Sequence, residues 1–225
     1  MQPLAVLAFG VALSLASSGV AQQGAQGTRV DGIAAVVGAN APGPGADVIL
    51  QSDVELRARL SLAASVADPG ALDVLPSSLL RATLSQLIGE SLIAREARRV
   101  QATAPDRADV ERERTRLVRS AGGGDRVQRL MFALAASDDE LDAIAQRRAQ
   151  VGAFLSANLE GVTVVTEREL ARAYSAAGAE LAGRTQEQAF TELRTRLSKQ
   201  ALDRTIERWV TVLGARTAVR RYVQY

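Results

Sequence analysis

The sequence predicts a mainly α fold carrying one small β-element. Three observations predict it. The chain of 225 residues is 47% hydrophobic but only 4% aromatic, so its core must be built from Ala, Leu and Val. Ala and Leu are among the residues that cost least in a helix. Stretches opening on a Ser/Thr-x-x-Glu pattern recur along the chain, as at Ser137–Glu140, and this pattern satisfies free amide donors at a helix start. The main Val- and Ile-rich runs lie towards the two ends, at Val30–Val37, Val48–Leu50 and Ala218–Tyr225, where such residues favour strands.

The elements follow in order. Leu4–Leu15 is an uncharged apolar run, and Gly19-Val20-Ala21 fits the small-x-small pattern before a cut at Gln22, so residues 1–21 read as a secretion signal. The run falls short of the roughly 20 apolar residues of a membrane span. An uncleaved anchor is therefore the lesser reading, and no later segment is apolar enough to cross a bilayer. After a short polar leader, Val30–Val37 is a β candidate. Gly38–Asp47 is a Pro- and Gly-rich loop, and Val48-Ile49-Leu50 completes a hairpin with a long turn.

Ser52-Asp53-Val54-Glu55 fits the capping box and opens a first helix to about Val66, ended by Asp68-Pro69-Gly70. Pro76-Ser77-Ser78 opens a longer second helix to about Ala102. Its Leu80, Leu84, Leu87, Ile88 and Leu92 recur at helical spacing, and Gly89 is a weak point in its middle. Pro105-Asp106 opens a third helix to about Ser120, stopped by Gly122-Gly123-Gly124. Asp125–Ala135 is a short fourth helix. The fifth runs from the Ser137–Glu140 box to about Asn158, with Leu141, Ile144, Val151 and Leu155 along one side. Val162–Val165 is extended. Thr166–Glu169 is a third capping box and opens a helix to about Ala177.

Gly178–Gly183 is the expected internal junction. Beyond it Thr185–Leu213 reads as one long helix, on the order of 40 Å if unbroken. It carries two apolar sets, Phe190, Leu193 and Leu197, then Leu202, Ile206, Trp209 and Leu213, and Gly214 ends it. In the last strand, Val219, Val223 and Tyr225 share a face with Arg221. Strands need partners for their backbone groups, and the economical solution pairs Ala218–Tyr225 with the Val30–Val37 region. The expected organisation is a signal at 1–21, a helical body at 22–178, and a C-terminal helix and strand at 184–225 packing back on that body.

Composition excludes several chemistries. There is no His and no Cys. That removes imidazole acid–base chemistry, His-based triads, disulfides and the usual zinc ligands. Net charge is +2, and of the 27 basic residues only Lys199 is lysine. Arg alternates with Glu and Asp along the helices, as in ADVERERTRLVR. That is an ion-paired, solvated helix surface rather than the segregated basic face that nucleic acid requires. The carboxylate pairs Asp138-Asp139 and Glu111 with Glu113 lie at a cap and on that charged face. Acid–base work needs burial and opposed pKa shifts, so no catalytic residue, metal site or cofactor is expected. Gly122-Gly123-Gly124 lacks the Gly-Lys-Ser/Thr ending of a phosphate loop.

The order of these elements resembles a family. VDGIAAVVG…VILQSDVELRARL looks like the start of the SurA-type periplasmic chaperones, where a short hairpin enters a helix through a Ser-Asp pair. LLRATLSQLIGESLIAREARRV looks like that family's next helix. DELDAIAQRRAQVGAFLSANLEGVTVVTERELARAY resembles the helix and Val-Thr-Glu cap that end its N-terminal domain. FTELRTRLSKQALDRTIERWVTVLGARTAVRRYV is similar to the C-terminal helix and strand that return to that domain. In the family, parvulin-type prolyl isomerase domains usually lie between the last two blocks. Here only Gly178–Gly183 bridges that position, and the His and Cys of parvulin sites are missing.

The resemblance thus implies a SurA N-terminal-like domain without the isomerase. Such a protein would be a non-enzymatic periplasmic holdase, binding unfolded outer-membrane protein segments without a cofactor. The rival reading is a non-catalytic structural or adaptor protein of the envelope, as a homodimer filling its own groove. A holdase needs accessible apolar surface. The rare bulky residues are the candidates: Met131 and Phe132 on the fourth helix, Phe154 and Leu155 on the fifth, Phe190 and Trp209 on the last. The competing reading places all of them in the core. It weighs least on Met131 and Phe132, because Met adapts to varied clients and a short helix after three glycines can move.

Overall fold

Hydrogen bonding sets the frame. In the computed structural model, β1 (Ile33–Val37) and β2 (Asp47–Leu50) pair antiparallel, and β3 (Val219–Arg221) pairs antiparallel with the other side of β1. The sheet order is β2-β1-β3. The structure describes residues 31–38, 45–65, 74–159, 165–177 and 183–225. The proposed signal, the polar leader, most of the Gly38–Asp47 loop, the Asp68-Pro69-Gly70 stop, the extended stretch up to Val164 and the junction up to Ala182 lie outside the described residues.

Val37 faces Asp47 on one side and Val219 on the other. The register slips between Ile33 and Ala35. A bulge there turns both Ala34 and Ala35 inward, and both are fully buried. The pairing continues past the regular strands: Gly38 N–H donates to the Ala218 carbonyl at 2.8 Å, and Tyr222 N–H to that of Ala34 at 2.9 Å. The expected meeting of the Ala218–Tyr225 segment with the first strand is therefore present, with regular strand geometry confined to Val219–Arg221.

Among the described residues seven helices connect β2 to β3: α1 (Gln51–Leu62), α2 (Ser77–Arg99), α3 (Arg107–Ser120), α4 (Gly124–Ala133), α5 (Asp138–Asn158), α6 (Glu167–Ala177) and α7 (Gln186–Arg216). No helix there is long and apolar enough to cross a membrane. The fold is thus mainly α with a small antiparallel sheet, as the sequence predicts. Two of the three capping boxes form as read: Ser137 with Glu140 and Thr166 with Glu169 exchange side-chain and backbone bonds. The structure adds two reciprocal caps of related chemistry, Asp106 with Asp109 and Thr185 with Gln188.

The first box does not form. α1 begins at Gln51, and it is Leu50 N–H that donates to Asp53 Oδ2, at 2.8 Å. Ser52 instead gives its N–H and hydroxyl to Asp31, just ahead of β1, while Glu55 takes Arg59 at 2.8 Å. β2 runs into α1 without a linker, so the cap falls on the last strand residue. Gly214 does not end the last helix either. α7 continues through it to Arg216, because residues around it still pack on α2: the position of a Cβ on Gly214 lies 3.8 Å from Leu92 Cδ1. Gly89 is explained by the same crossing. A Cβ there would stand 3.3 Å from Val210 Cγ2 of α7, so the missing side chain lets the two helices approach.

Three apolar clusters hold these elements. The largest joins β1, Ile49, Val54, the inner face of α2, Val151 and Phe154 of α5, and Leu213. A second joins Leu56 and Leu60 of α1 to Leu130, Met131 and Leu141. α1 contributes to both, and six of its residues are buried, including Arg57 and Arg59. The third cluster joins Leu170 and Ala177 of α6 to Ala189 and Leu193 of α7. Ion pairs tie the layers. Arg98 of α2 reaches Asp47 at 3.0 Å. Glu113 of α3 takes Arg116 and, from α5, Arg148, both at 2.7 Å. Glu113 is buried, so the charged α3 stretch is not wholly the solvated surface that its alternation suggests.

Candidate functional site

The bulky residues do not converge on one groove. They are distributed over the three clusters and the surface by the helix faces that carry them. Met131 and Phe132 are consecutive on α4 but differ in burial: Met131 is 6% exposed and packs with Leu56, Leu60 and Leu130, while Phe132 is 88% exposed. Phe154 is buried, and its ring meets Trp209 of α7 with centroids 5.7 Å apart and planes tilted by 55°. Leu155 and Trp209 are half-buried against the same cluster. Phe190 packs edge-on to Tyr174 of α6, centroids 5.1 Å apart at 75°, and is half-buried in the third cluster. Phe154, Leu155 and Trp209 are therefore brought together, while Met131, Phe132 and Phe190 each stand elsewhere.

A different place on the molecule has the features of a site. A cavity of about 130 Å³ opens between β2, α1, α2 and α5. Ile49, Leu56, Leu87 and Ile144 form its apolar walls, and Asp53, Arg57, Glu90, Glu140 and Arg147 contribute charge. The charged groups arrive there because α1 is sandwiched between two cores, so its inward positions must carry whatever the sequence supplies.

Arg57 Nη2 donates to Glu90 Oε1 at 2.6 Å, and both side chains are nearly buried. Gln86 Nε2 donates to the same oxygen at 3.0 Å. The other oxygen, Glu90 Oε2, is buried with no hydrogen-bond partner. Arg147 Nη1 donates to Ser91 Oγ at 2.8 Å, and Ser91 is fully buried. Burial lowers the pKa of Arg57, with Glu90 opposing the shift. Burial also raises the Asp53 carboxyl above its ordinary range, against the Leu50 N–H and the nearby Arg147, which favour its charge. The cavity thus combines apolar walls with carboxylates and guanidinium groups, and the unmet Glu90 oxygen is sealed from solvent beside it.

Sequence reasoning missed this group, although one signal was present. Val54, Arg57 and Ala58 share a helical face by spacing, and Val54 and Ala58 are core residues. An Arg on such a face requires a buried counter-charge. What spacing along one helix does not give is that the counter-charge stands on α2. A scan of the chain against protein-family models finds no match, and a search of curated proteins finds none either.

Proposed function

We propose that this chain is a periplasmic, non-enzymatic chaperone of SurA-like type that holds segments of unfolded outer-membrane proteins. One observation carries the reading: the chain closes on itself. A 31-residue helix, α7, leads from the α6–α7 cluster back along α2, and the strand after it joins β1. That is the arrangement the resemblance implies, with C-terminal helix and strand returning to the N-terminal hairpin. The half-buried Leu155, Phe190 and Trp209 and the exposed Phe132 supply apolar surface. Contact with a disordered client is modest and reversible, because ordering the client offsets much of the gain.

The test is suppression of aggregation of an unfolded outer-membrane barrel protein by the purified chain. Protection at a few-fold excess is expected, without acceleration of prolyl isomerisation. Aggregation that proceeds unchanged, together with light scattering from a client-independent dimer, would move the assignment to an envelope adaptor.

A further inference from the structure

We propose that the outer face of the sheet holds an extended segment of another polypeptide that is apolar and carries a carboxylate. The face follows from register. Val36 stands opposite Val48 on one side and Arg220 on the other, and residues directly opposite share a face. Alternation puts Leu50 on that face with Val48, and Tyr222 with Arg220. Ile33 joins them, because it pairs with Leu50 and the bulge turns Ala34 and Ala35 the other way. The opposite face carries Val37, Ile49 and Val219 into the core cluster that includes α2. A sheet with one face on a core usually alternates, apolar inside and polar outside. Here the outer positions are Ile, Val, Val, Leu and Tyr, with Arg220 the one charge. Ile33, Val48 and Tyr222 are 44%, 47% and 58% exposed. Single exposed apolar residues are ordinary, but a contiguous apolar face marks a contact.

Size and charge choose the occupant. Strands about 4.8 Å apart, each showing only a couple of outward residues, give a footprint of roughly 200 Å². A stable complex of two folded proteins buries about 800 Å² on each partner. A second copy of this chain would also bring its own Arg220 into the same small contact, setting like charges together. A short extended segment fits the footprint. Arg220 and its neighbour Arg221 are exposed, and neither makes an ion pair among the described residues. The segment therefore presents a carboxylate to them beside its apolar side chains. The inference rests on the holdase reading, for which it names the holding surface and the chemistry of the segment held.

The experiment is a ¹H–¹⁵N NMR titration of the full chain with three blocked peptides, Glu-Phe-Val-Tyr-Glu, Lys-Phe-Val-Tyr-Lys and Glu-Ser-Asn-Thr-Glu. The first is expected to shift the amides of Ile33, Val36, Val48 and Tyr222 saturably, with binding at least about tenfold tighter than either of the others. Val48→Lys, at an exposed position, should abolish those shifts with far-UV dichroism unchanged. Arg220→Glu should reverse the preference towards the lysine peptide, which a loss of folding would not do. Suppression of barrel-protein aggregation is measured alongside. Protection by the parent that Val48→Lys loses supports the face as the holding surface. Equal protection by Val48→Lys and the parent would overturn the inference and leave the holdase reading standing. Peptide binding without any protection would support the face and overturn that reading instead. Shifts of the same amides on raising protein concentration alone, with light scattering from a dimer, would give the face to a second copy and overturn the proposal. No saturable response to any peptide would overturn it as well, the result expected if residues 22–30 of the chain itself cover the face.

Discussion

Gln101 and Ala135 have φ of 53° and 52°, in the left-handed region that side chains with a Cβ adopt at a cost. Both close helices by the same pair of bonds. After α2, Ala102 N–H reaches the Ala97 carbonyl at 2.9 Å and Gln101 N–H that of Arg98 at 3.1 Å; after α4, Ala136 reaches Met131 at 2.9 Å and Ala135 reaches Phe132 at 3.1 Å. Glycine is the usual residue there, and Gly122 fills the matching position after α3 with φ of 91°. Gln101→Gly and Ala135→Gly should each stabilise the fold by about 0.5–1 kcal/mol, read as a higher urea midpoint at unchanged slope. Asp53 gives a pH prediction. Its carboxyl is raised above the ordinary 3.8, so the folded state binds a proton more tightly than the unfolded state. Its contribution to stability is full below pH 3.8 and is lost as pH rises through the higher folded value. Asp53→Asn keeps an oxygen for the Leu50 N–H and cannot ionise. The variant should gain melting temperature relative to the parent as pH rises from 3 to 7. A difference between the two that stays constant over that range would show that burial does not raise the Asp53 carboxyl.

Helix–helix contacts set the next scale. α2 and α7 approach where Gly89 faces Val210, and Gly89→Leu must push the helices apart. The expected cost is about 1–3 kcal/mol, as for overpacking in a core. Phe154 of α5 packs on Trp209 of α7. Phe154→Ala should cost about 3–5 kcal/mol and red-shift the native fluorescence, because Trp209 is the chain's sole tryptophan. An unchanged emission maximum would show that the two rings are not in contact. The helices themselves were legible in the sequence, since each depends on local spacing and caps. Ser52 was misread as a cap because the box pattern ignores the strand that runs straight into α1. Gly214 was misread as a stop because propensity omits the packing on Leu92 that carries α7 past it.

The sheet joins parts of the chain that are distant in sequence, so its loss should act on the whole molecule. Arg81 of α2 anchors the segment after β3 by donating to the Tyr225 main-chain oxygen at 2.7 Å. Removing residues 218–225 strips one side of β1 and leaves an unpaired edge, a template for pairing with other chains. The truncated protein should melt at a lower temperature and self-associate, which thermal denaturation and light scattering would detect. A monomer with parental melting temperature would mean that β3 contributes little.

Alone, the sequence determined what depends on neighbours within a few residues: a helical body from Ala and Leu, most helix boundaries, strands towards both ends, and the exclusion of imidazole and thiol chemistry. The pairing of those ends was also within reach, because few strands were present to satisfy one another. Only the tertiary structure decided which side chains are accessible and which charges meet. Met131 and Phe132 differ by about one-third of a helical turn, and α1 with its neighbours covers one and leaves the other in solvent. Arg57 and Glu90 lie 33 residues apart, and their meeting, with the cavity beside it, follows from the angle at which α1 crosses α2. That angle comes from the packing of many side chains at once, and no local pattern encodes it.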